Sequence, residues 1–162
     1  MNDTVFKASG ADDERFMRMA LNEAMIAAES GEVPIGAVVV GPRGTIVGRG
    51  HNLTETLADV TAHAEMQAIT AAAQTLGGKY LAGCTLYVTV EPCLMCAGAI
   101  AWAQVGRIVI GAPDPKRGYT AYTAAPFHPR AKVESGVLAA QCAELDSHNC
   151  RSLRRESRNM KA

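Results

Sequence analysis

The sequence has no net charge, no long apolar run and no second Cys-x-x-Cys pair, and each absence excludes a class of protein. The 16 basic residues balance the 16 acidic ones, so the overall charge does not indicate a nucleic-acid partner. No apolar run approaches the ~20 residues that a membrane-spanning helix needs, so no membrane association is expected. Residues 1–11 lack the basic and apolar segments of a signal peptide, which predicts a cytoplasmic protein.

The five cysteines are an odd number, and only Cys93 and Cys96 form a Cys-x-x-Cys pair. A four-cysteine zinc knuckle would need a second pair, and a redox pair would need a thioredoxin-like βαβ pattern around the first. We interpret Cys84, Cys142 and Cys150 as reduced thiols of a cytosolic protein. Cys84 leaves one alternative open, because a fourth protein ligand would close a zinc site.

Two short segments carry the chemistry, residues 61–65 and residues 91–96. His63, Cys93 and Cys96 are ligand types that suit Zn²⁺. Three protein ligands leave a fourth position for water, which distinguishes a catalytic zinc from a structural one. Glu65 remains as a carboxylate next to that water. The two segments together therefore predict a zinc enzyme with Glu65 as its acid and base.

The spacing of these residues predicts where they lie on helices. Residues two apart on a helix do not share a face, so His63 and Glu65 converge only around a helix N-terminus, for which Thr61 is a candidate cap. Cys93 and Cys96 are three apart and share the first turn of a second helix. Both thiols then lie near the positive end of a helix dipole, which lowers their pKa and favours metal binding.

The predicted elements alternate between helices and strands along one domain. Their order predicts a three-layer α/β/α fold whose mixed sheet includes at least one antiparallel hairpin. We expect residues 12–158 to form a single domain, with a flexible N-terminus over 1–11 and a tail over 159–162. The predicted helices cover residues 12–29, 62–74, 94–103 and 138–158, and the predicted strands cover residues 35–40, 45–50, 85–90, 107–111 and 133–137.

From residue 16 to residue 143 the motifs resemble those of the zinc-dependent cytidine and deoxycytidylate deaminase superfamily. Within it, the chain resembles the bacterial tRNA-specific adenosine deaminases, and guanine deaminases share much of the pattern. The motifs that carry the resemblance are residues 32–37, 50–52, 63–65, 86–93 and 96–99.

The resemblance implies a cytidine-deaminase-like fold with a five-stranded sheet, one zinc ion per subunit and a homodimer. It implies hydrolytic deamination of adenosine to inosine at the wobble position of tRNA. Asn52 would hydrogen-bond the base or nucleoside, and Asp114 would contact the anticodon loop. The Ala64 backbone is a candidate donor in the pocket. The alternatives are a deaminase of free bases or nucleosides, with guanine first, and a non-catalytic RNA-binding protein with a structural zinc.

The C-terminal part departs from the family pattern. Residues 145–150 stand where relatives carry a hydrophobic and aromatic stretch, which would alter packing or remove a ring that stacks on the substrate. The basic residues that follow are consistent with phosphate binding or with a solvated helix end. Four further side chains would either stack on unpaired bases or form an aromatic lid, namely Tyr119, Tyr122, Phe127 and His128.

Overall fold

The computed structural model describes residues 6–147, which form a mixed five-stranded sheet between helices. The strands lie in the order β2-β1-β3-β4-β5, with β1 antiparallel to both neighbours and β3, β4 and β5 parallel. The strands are β1 (Gly36–Val40), β2 (Ile46–His51), β3 (Thr85–Val90), β4 (Arg107–Ala112) and β5 (Lys132–Ser135). The helices are α1 (Gly10–Glu29), α2 (Ala64–Leu76), α3 (Leu94–Trp102) and α4, which is described over residues 139–147.

Each face of the sheet is covered by its own apolar core. On β1, Ala37 and Val39 point into the core beneath α2 and α3, whereas Val38 and Val40 point into the core beneath α1. Side chains alternate across a strand, so an unbroken apolar strand is expected wherever both faces are buried. The predicted three-layer α/β/α architecture is therefore confirmed.

Two glycines allow helices to approach the sheet closely. A side chain at Gly36 would overlap the Ala20 carbonyl of α1, and one at Gly50 would overlap the Ala64 carbonyl of α2. The second contact is functionally important because Ala64 is the first residue of α2. The absence of a Cβ at Gly50 thus lets the start of α2 lie directly on the end of β2.

The predicted elements agree with the structure except at their ends. α1 begins at Gly10, two residues before the predicted start, because Ser9 and Asp12 form a capping box there. α2 is displaced by two residues toward the C-terminus and ends at Gly77, which adopts a left-handed conformation. The last part of the helix predicted over 138–158, the basic tail and residues 1–5 lie outside the described residues. None of the helices described over residues 6–147 is long and apolar enough to cross a membrane.

A partly buried ion pair joins α1 to β4 at the end of the strands opposite the cysteine pair. Arg107 donates to both carboxylate oxygens of Asp13 at 2.7 Å, and the Tyr87 hydroxyl donates to the same carboxylate at 2.7 Å. Arg107 also bonds Glu134 on β5. Burial alone would raise the pKa of Asp13, but the hydrogen bonds and the charge of Arg107 outweigh it, so the pKa lies below its usual value.

Asp13→Asn is expected to lower the free energy of unfolding at neutral pH by about 2 kcal/mol, because Arg107 loses a charged acceptor. The folded-state pKa of Asp13 is depressed, so its contribution is present above the unfolded pKa near 3.8 and is lost as the pH falls through the folded pKa. Urea unfolding should show that the difference in the free energy of unfolding between wild type and variant becomes smaller at acidic pH. Glu14→Gln, on the exposed face of α1, is the matched control, and an equal effect of both substitutions would contradict this account.

Candidate active site

The two predicted ligand segments meet where α2 and α3 begin. His63 is the N-cap of α2 and Cys93 is the N-cap of α3, while Glu65 and Cys96 lie in the first turns of these helices. The predicted position of these residues at two helix N-termini is therefore confirmed. The prediction that Thr61 caps α2 is wrong. Its hydroxyl and its backbone N–H both donate to Asp59 instead. The N-cap of α2 is His63, two residues later, which forms no side-chain capping bond.

His63, Cys93 and Cys96 converge through one ring nitrogen and two sulfurs. Their ligand atoms all lie within 4.8 Å of one another, and the His63 Nδ1 atom is 3.6 Å from the Cys93 Sγ and 3.4 Å from the Cys96 Sγ. Tetrahedral Zn²⁺ with bonds of about 2.0–2.1 Å to nitrogen and about 2.3 Å to sulfur separates these atoms by roughly 3.5 Å. The donor set and its spacing therefore fit zinc.

Cys84 does not belong to this group. It precedes β3, whereas Cys93 follows the other end of that strand, and its buried thiol packs in the core beneath α2 and α3. Across residues 6–147, His63, Cys93 and Cys96 form the one cluster of histidine, cysteine and carboxylate groups compact enough for a metal. A fourth protein ligand from Cys84 is thereby excluded, which leaves an open position of the kind that catalytic zinc requires.

The cysteines and His63 share protons, and the predicted lowering of both cysteine pKa values is found for Cys93 and not for Cys96. The Cys96 thiol hydrogen-bonds the Cys93 sulfur and, together with His63, lowers the pKa of Cys93 to about 4. The same bond and burial raise the pKa of Cys96, while the bond to Cys93 raises the pKa of His63. A cation among these three side chains would favour the deprotonated form of each, because its positive charge stabilises thiolates and competes with protons for the imidazole nitrogen.

Glu65 is a buried carboxyl group beside the ligand cluster. It is 4% exposed, and burial raises its pKa, with the negative charge of Cys93 acting in the same direction. A buried carboxyl group with a raised pKa holds a proton more readily than an exposed one and can return it to a neighbouring group. This environment suits the predicted acid and base role of Glu65, which remains a prediction.

A cavity of about 400 Å³ opens in front of His63 and Glu65. Asn52, which follows β2, is buried and lines this cavity, and the structure shows no hydrogen bond to its side-chain amide from any residue between 6 and 147. Val33, Ile35 and Val90 provide apolar wall, which suits a planar base. Ala64 opens α2, so its backbone N–H is one of the donors that a helix leaves unpaired at its start.

Comparison with known families identifies this arrangement. The sequence profile of the cytidine and deoxycytidylate deaminase zinc-binding region matches residues 11–112, which include Glu65 and all three ligands. The chain belongs to this family.

Within the family, the deaminase is similar to tRNA-specific adenosine deaminases. It is 46% identical over 151 residues to the tRNA-specific adenosine deaminase of Bacillus subtilis, a match that covers 90% of this chain and 93% of the relative. A solved structure from studies of A-to-I editing by tRNA:A34 deaminases superposes with a TM-score of 0.75 at 44% identity. This match covers 81% of this chain and 98% of that structure.

Guanine deaminases are also related: a structure of the guanine deaminase from Nitrosomonas europaea matches 90% of this chain and 87% of its own at 25% identity, with a TM-score of 0.71. The structure of guanine deaminase from Bacillus subtilis shares 40% identity and gives a TM-score of 0.59. It covers 62% of the present deaminase and 64% of that chain. Over matches that cover 81% or more of this chain, the tRNA-specific relatives therefore have the higher identity, at 44–46% against 25%.

Two loops form the walls of the cavity in this deaminase, and a buried glutamate holds each of them. Glu32 is fully buried and accepts hydrogen bonds from Thr54 Oγ1 and from the backbone N–H groups of Glu55 and Thr56. Glu91 plays the same part for the loop of residues 113–120. Neither role could be predicted from the sequence. The partners of Glu32 and those of Glu91 lie more than 20 residues away along the chain.

Asp114 lines the cavity, as do Lys116 and Arg117 from the same loop. The Asp114 carboxylate also accepts the backbone N–H groups of Lys116 and Arg117 at 3.1 and 3.0 Å, so it shapes the loop as well as facing the cavity. Its predicted contact with an anticodon loop remains a prediction. The two cations next to it were not singled out from the sequence.

Asp146 reaches the same cavity from α4 and was not predicted as a site residue. It belongs to the stretch that departs from the family pattern. Burial raises its pKa, and the nearby Asp114 carboxylate adds to this effect while Arg117 opposes it. Asp146 therefore places a carboxyl group at the cavity.

The aromatic residues after this loop divide into two groups. Tyr119 is buried and packs edge-to-face against Phe127, with ring centroids 4.9 Å apart. These two rings form the packed lid that was one of the two predictions. Tyr122 is exposed and Phe127 is partly buried, so Tyr122 presents the most accessible of the three rings.

Proposed function

We propose that the protein is a zinc-dependent hydrolytic deaminase that converts adenosine to inosine at the wobble position of tRNA. The observation that carries this proposal is the convergence of His63, Cys93 and Cys96 beside the buried carboxyl group of Glu65. The tRNA-specific relatives, which match along most of the chain, support the substrate. A tRNA substrate also implies the cytoplasm as its compartment.

The reaction replaces the amino group at C6 of adenine by oxygen and releases ammonia. We assign the zinc ligands to His63, Cys93 and Cys96, with one ion per subunit, and when bound this ion supplies a Lewis acid that acidifies water. Glu65 accepts one proton from the attacking water and delivers it to the ring nitrogen. It then takes the remaining proton from the hydroxyl group added at C6 and gives it to the amino group, as the C6–N bond breaks and ammonia leaves. Its buried position keeps bulk water from competing for these protons.

The remaining residues bind and orient the base. The Asn52 side-chain amide faces the cavity with both donors and acceptors available to a base or ribose. The Ala64 N–H adds a donor at the start of α2. Lys116 and Arg117 at the mouth are suited to phosphate oxygens, and Asp114 beside them is suited to hydroxyl or amino groups.

An RNA loop is a favourable substrate because its bases are already unpaired, so little stacking energy is lost when one enters the cavity. The test compares an anticodon stem-loop carrying adenine at the wobble position with free guanine, adenosine and cytidine, with ammonia release as the readout. We expect turnover of the stem-loop. Turnover of guanine alone would favour the alternative, a deaminase of purine salvage, and zinc binding without turnover of any substrate would favour the non-catalytic alternative.

We also propose a homodimer that forms through α3. Leu94, Gly98 and Trp102 follow one another at intervals of four residues and share a helix face. Trp102 is 85% exposed, Leu94 and Met95 are exposed beside it, and a Cβ at Gly98 would touch nothing. An exposed apolar helix face of this kind marks a protein interface. Because α3 begins at the zinc ligands, a partner on this face would lie close to the cavity.

Trp102→Glu is expected to weaken the dimer by at least tenfold in its dissociation constant, since aromatic anchors dominate such interfaces. Sedimentation over a range of concentrations measures the change. Tyr80→Glu is the matched control, because Tyr80 is an exposed aromatic residue outside α3. A dimer that survives Trp102→Glu and dissociates with Tyr80→Glu would show that a different face carries the interface.

A further inference from the structure

Glu91 follows β3 and precedes Cys93, and its carboxylate points toward the loop of residues 113–120. Its Oε2 atom accepts the Asp114 N–H at 3.0 Å, and its Oε1 atom accepts the Thr120 N–H at 2.9 Å and the Thr120 hydroxyl at 2.6 Å. The carboxylate is buried. One side chain therefore binds both ends of the loop of residues 113–120.

Further contacts join the same loop to Pro92 and Cys93, just before α3. Gly118 forms a bridge with Cys93, and the Tyr119 N–H donates to the Pro92 carbonyl at 2.8 Å. A Cβ at Gly118 would overlap the Glu91 carboxylate. The glycine thus lets the loop approach the carboxylate closely, and the loop lies against the turn that carries a metal ligand.

Only a carboxylate satisfies this set of partners. All three partners are donors, and over residues 6–147 no lysine or arginine forms an ion pair with Glu91. A charged acceptor bonded to several N–H and O–H groups is stable when buried, and such bonds are stronger than neutral ones. A glutamine would turn an NH₂ group toward at least one backbone N–H and leave that donor unpaired.

We propose that Glu91 is a positioning residue for substrate binding: it holds the loop of residues 113–120 so that Asp114, Lys116 and Arg117 stand at the mouth of the cavity. Glu91 itself does not line the cavity. Through the loop, Glu91 affects the affinity for the RNA. Glu65 and the zinc ligands, and not Glu91, act on the reacting base. This inference rests on the proposed function.

Glu91→Gln tests the proposal on the zinc-loaded full-length protein. With the anticodon stem-loop as substrate, KM is expected to rise roughly tenfold, as when a buried donor loses a charged acceptor, while kcat changes less than threefold and zinc content is unchanged. Glu134→Gln is the matched control, because Glu134 lies on β5 and hydrogen-bonds Arg107 of β4, away from the loop. A fall in kcat at constant KM, or a loss of zinc, would overturn the proposal.

A second variant and a second measurement separate the loop from the chemistry. Thr120→Val removes one donor, so the double variant with Glu91→Gln should raise KM by less than the product of the single effects. Hydrogen exchange of the Asp114 and Thr120 amides should become faster in Glu91→Gln. Unchanged exchange would overturn the proposal whether or not RNA is the substrate, whereas wild-type protein inactive on the stem-loop would refute the proposed function instead.

Discussion

Glu65→Ala is expected to lower kcat by roughly 10²–10⁴-fold on any substrate that the protein deaminates, because the carboxyl group that moves protons is lost. The zinc content should not change, since Glu65 is not among the three clustered ligands. Single-turnover kinetics measures the first quantity and metal analysis the second. The two measurements together separate a proton carrier from a metal ligand.

Glu65→Gln is the matched control for this result. Glutamine fills the same buried site and keeps one acceptor, yet it cannot exchange protons near neutral pH. We expect its kcat to fall nearly as far as that of the alanine variant. Near-normal turnover of Glu65→Gln, or loss of zinc from either variant, would contradict the role that we assign to the carboxyl group.

Cys96→Ala is expected to abolish zinc retention and turnover together. Cys96 is fully buried and lies 3.4 Å from the His63 Nδ1 atom, so no exposed group can replace its sulfur. Even residues that only support a ligand lower metal affinity by about 10–100-fold when removed, and loss of a ligand should cost more. Thermal unfolding should also occur at a lower temperature, because bound metal stabilises the folded state.

Cys142→Ala provides the comparison for this variant. Cys142 is equally buried but packs in the core beneath α1, away from the ligand cluster. The same change in volume should therefore cost some stability and leave both zinc content and turnover intact. Equal loss of zinc from the two variants would show that core packing, rather than ligation, explains the effect.

Local patterns made the ligand geometry predictable. The two-residue interval between His63 and Glu65 and the three-residue interval between Cys93 and Cys96 each fix a position at a helix start, without knowledge of the rest of the fold. The apolar run of β1 indicated a strand buried on both faces. Asn52 was predicted by resemblance, and the structure places it in the same cavity as His63 and Glu65.

Contacts between distant residues could not be predicted in the same way. Asp13 is one of three consecutive acidic residues near the start of α1, and nothing in the sequence around it indicates its partner Arg107, which lies 94 residues away. The partners of Glu91 are separated from it by 23 and 29 residues, and no periodicity connects them. Asp146 appeared only as a departure from relatives, because its position at the cavity depends on how α4 packs.

Thr61 shows how a local rule can fail at a functional site. A threonine shortly before an apolar helix is a common cap. In this protein the capping position is taken by His63, whose side chain is turned toward two sulfurs, so α2 has no side-chain cap. His63 therefore contributes to the predicted metal site and leaves the helix N-terminus without a stabilising side-chain cap.

The most direct test of the account is the position of inosine in an anticodon stem-loop after incubation with the zinc-loaded protein. The loop carries adenine at the wobble position, and a second loop carries it one position away. We expect stoichiometric inosine at the wobble adenine and almost none in the displaced loop. Equal conversion of both loops, or conversion of neither while guanine releases ammonia, would contradict the assignment of a tRNA wobble deaminase.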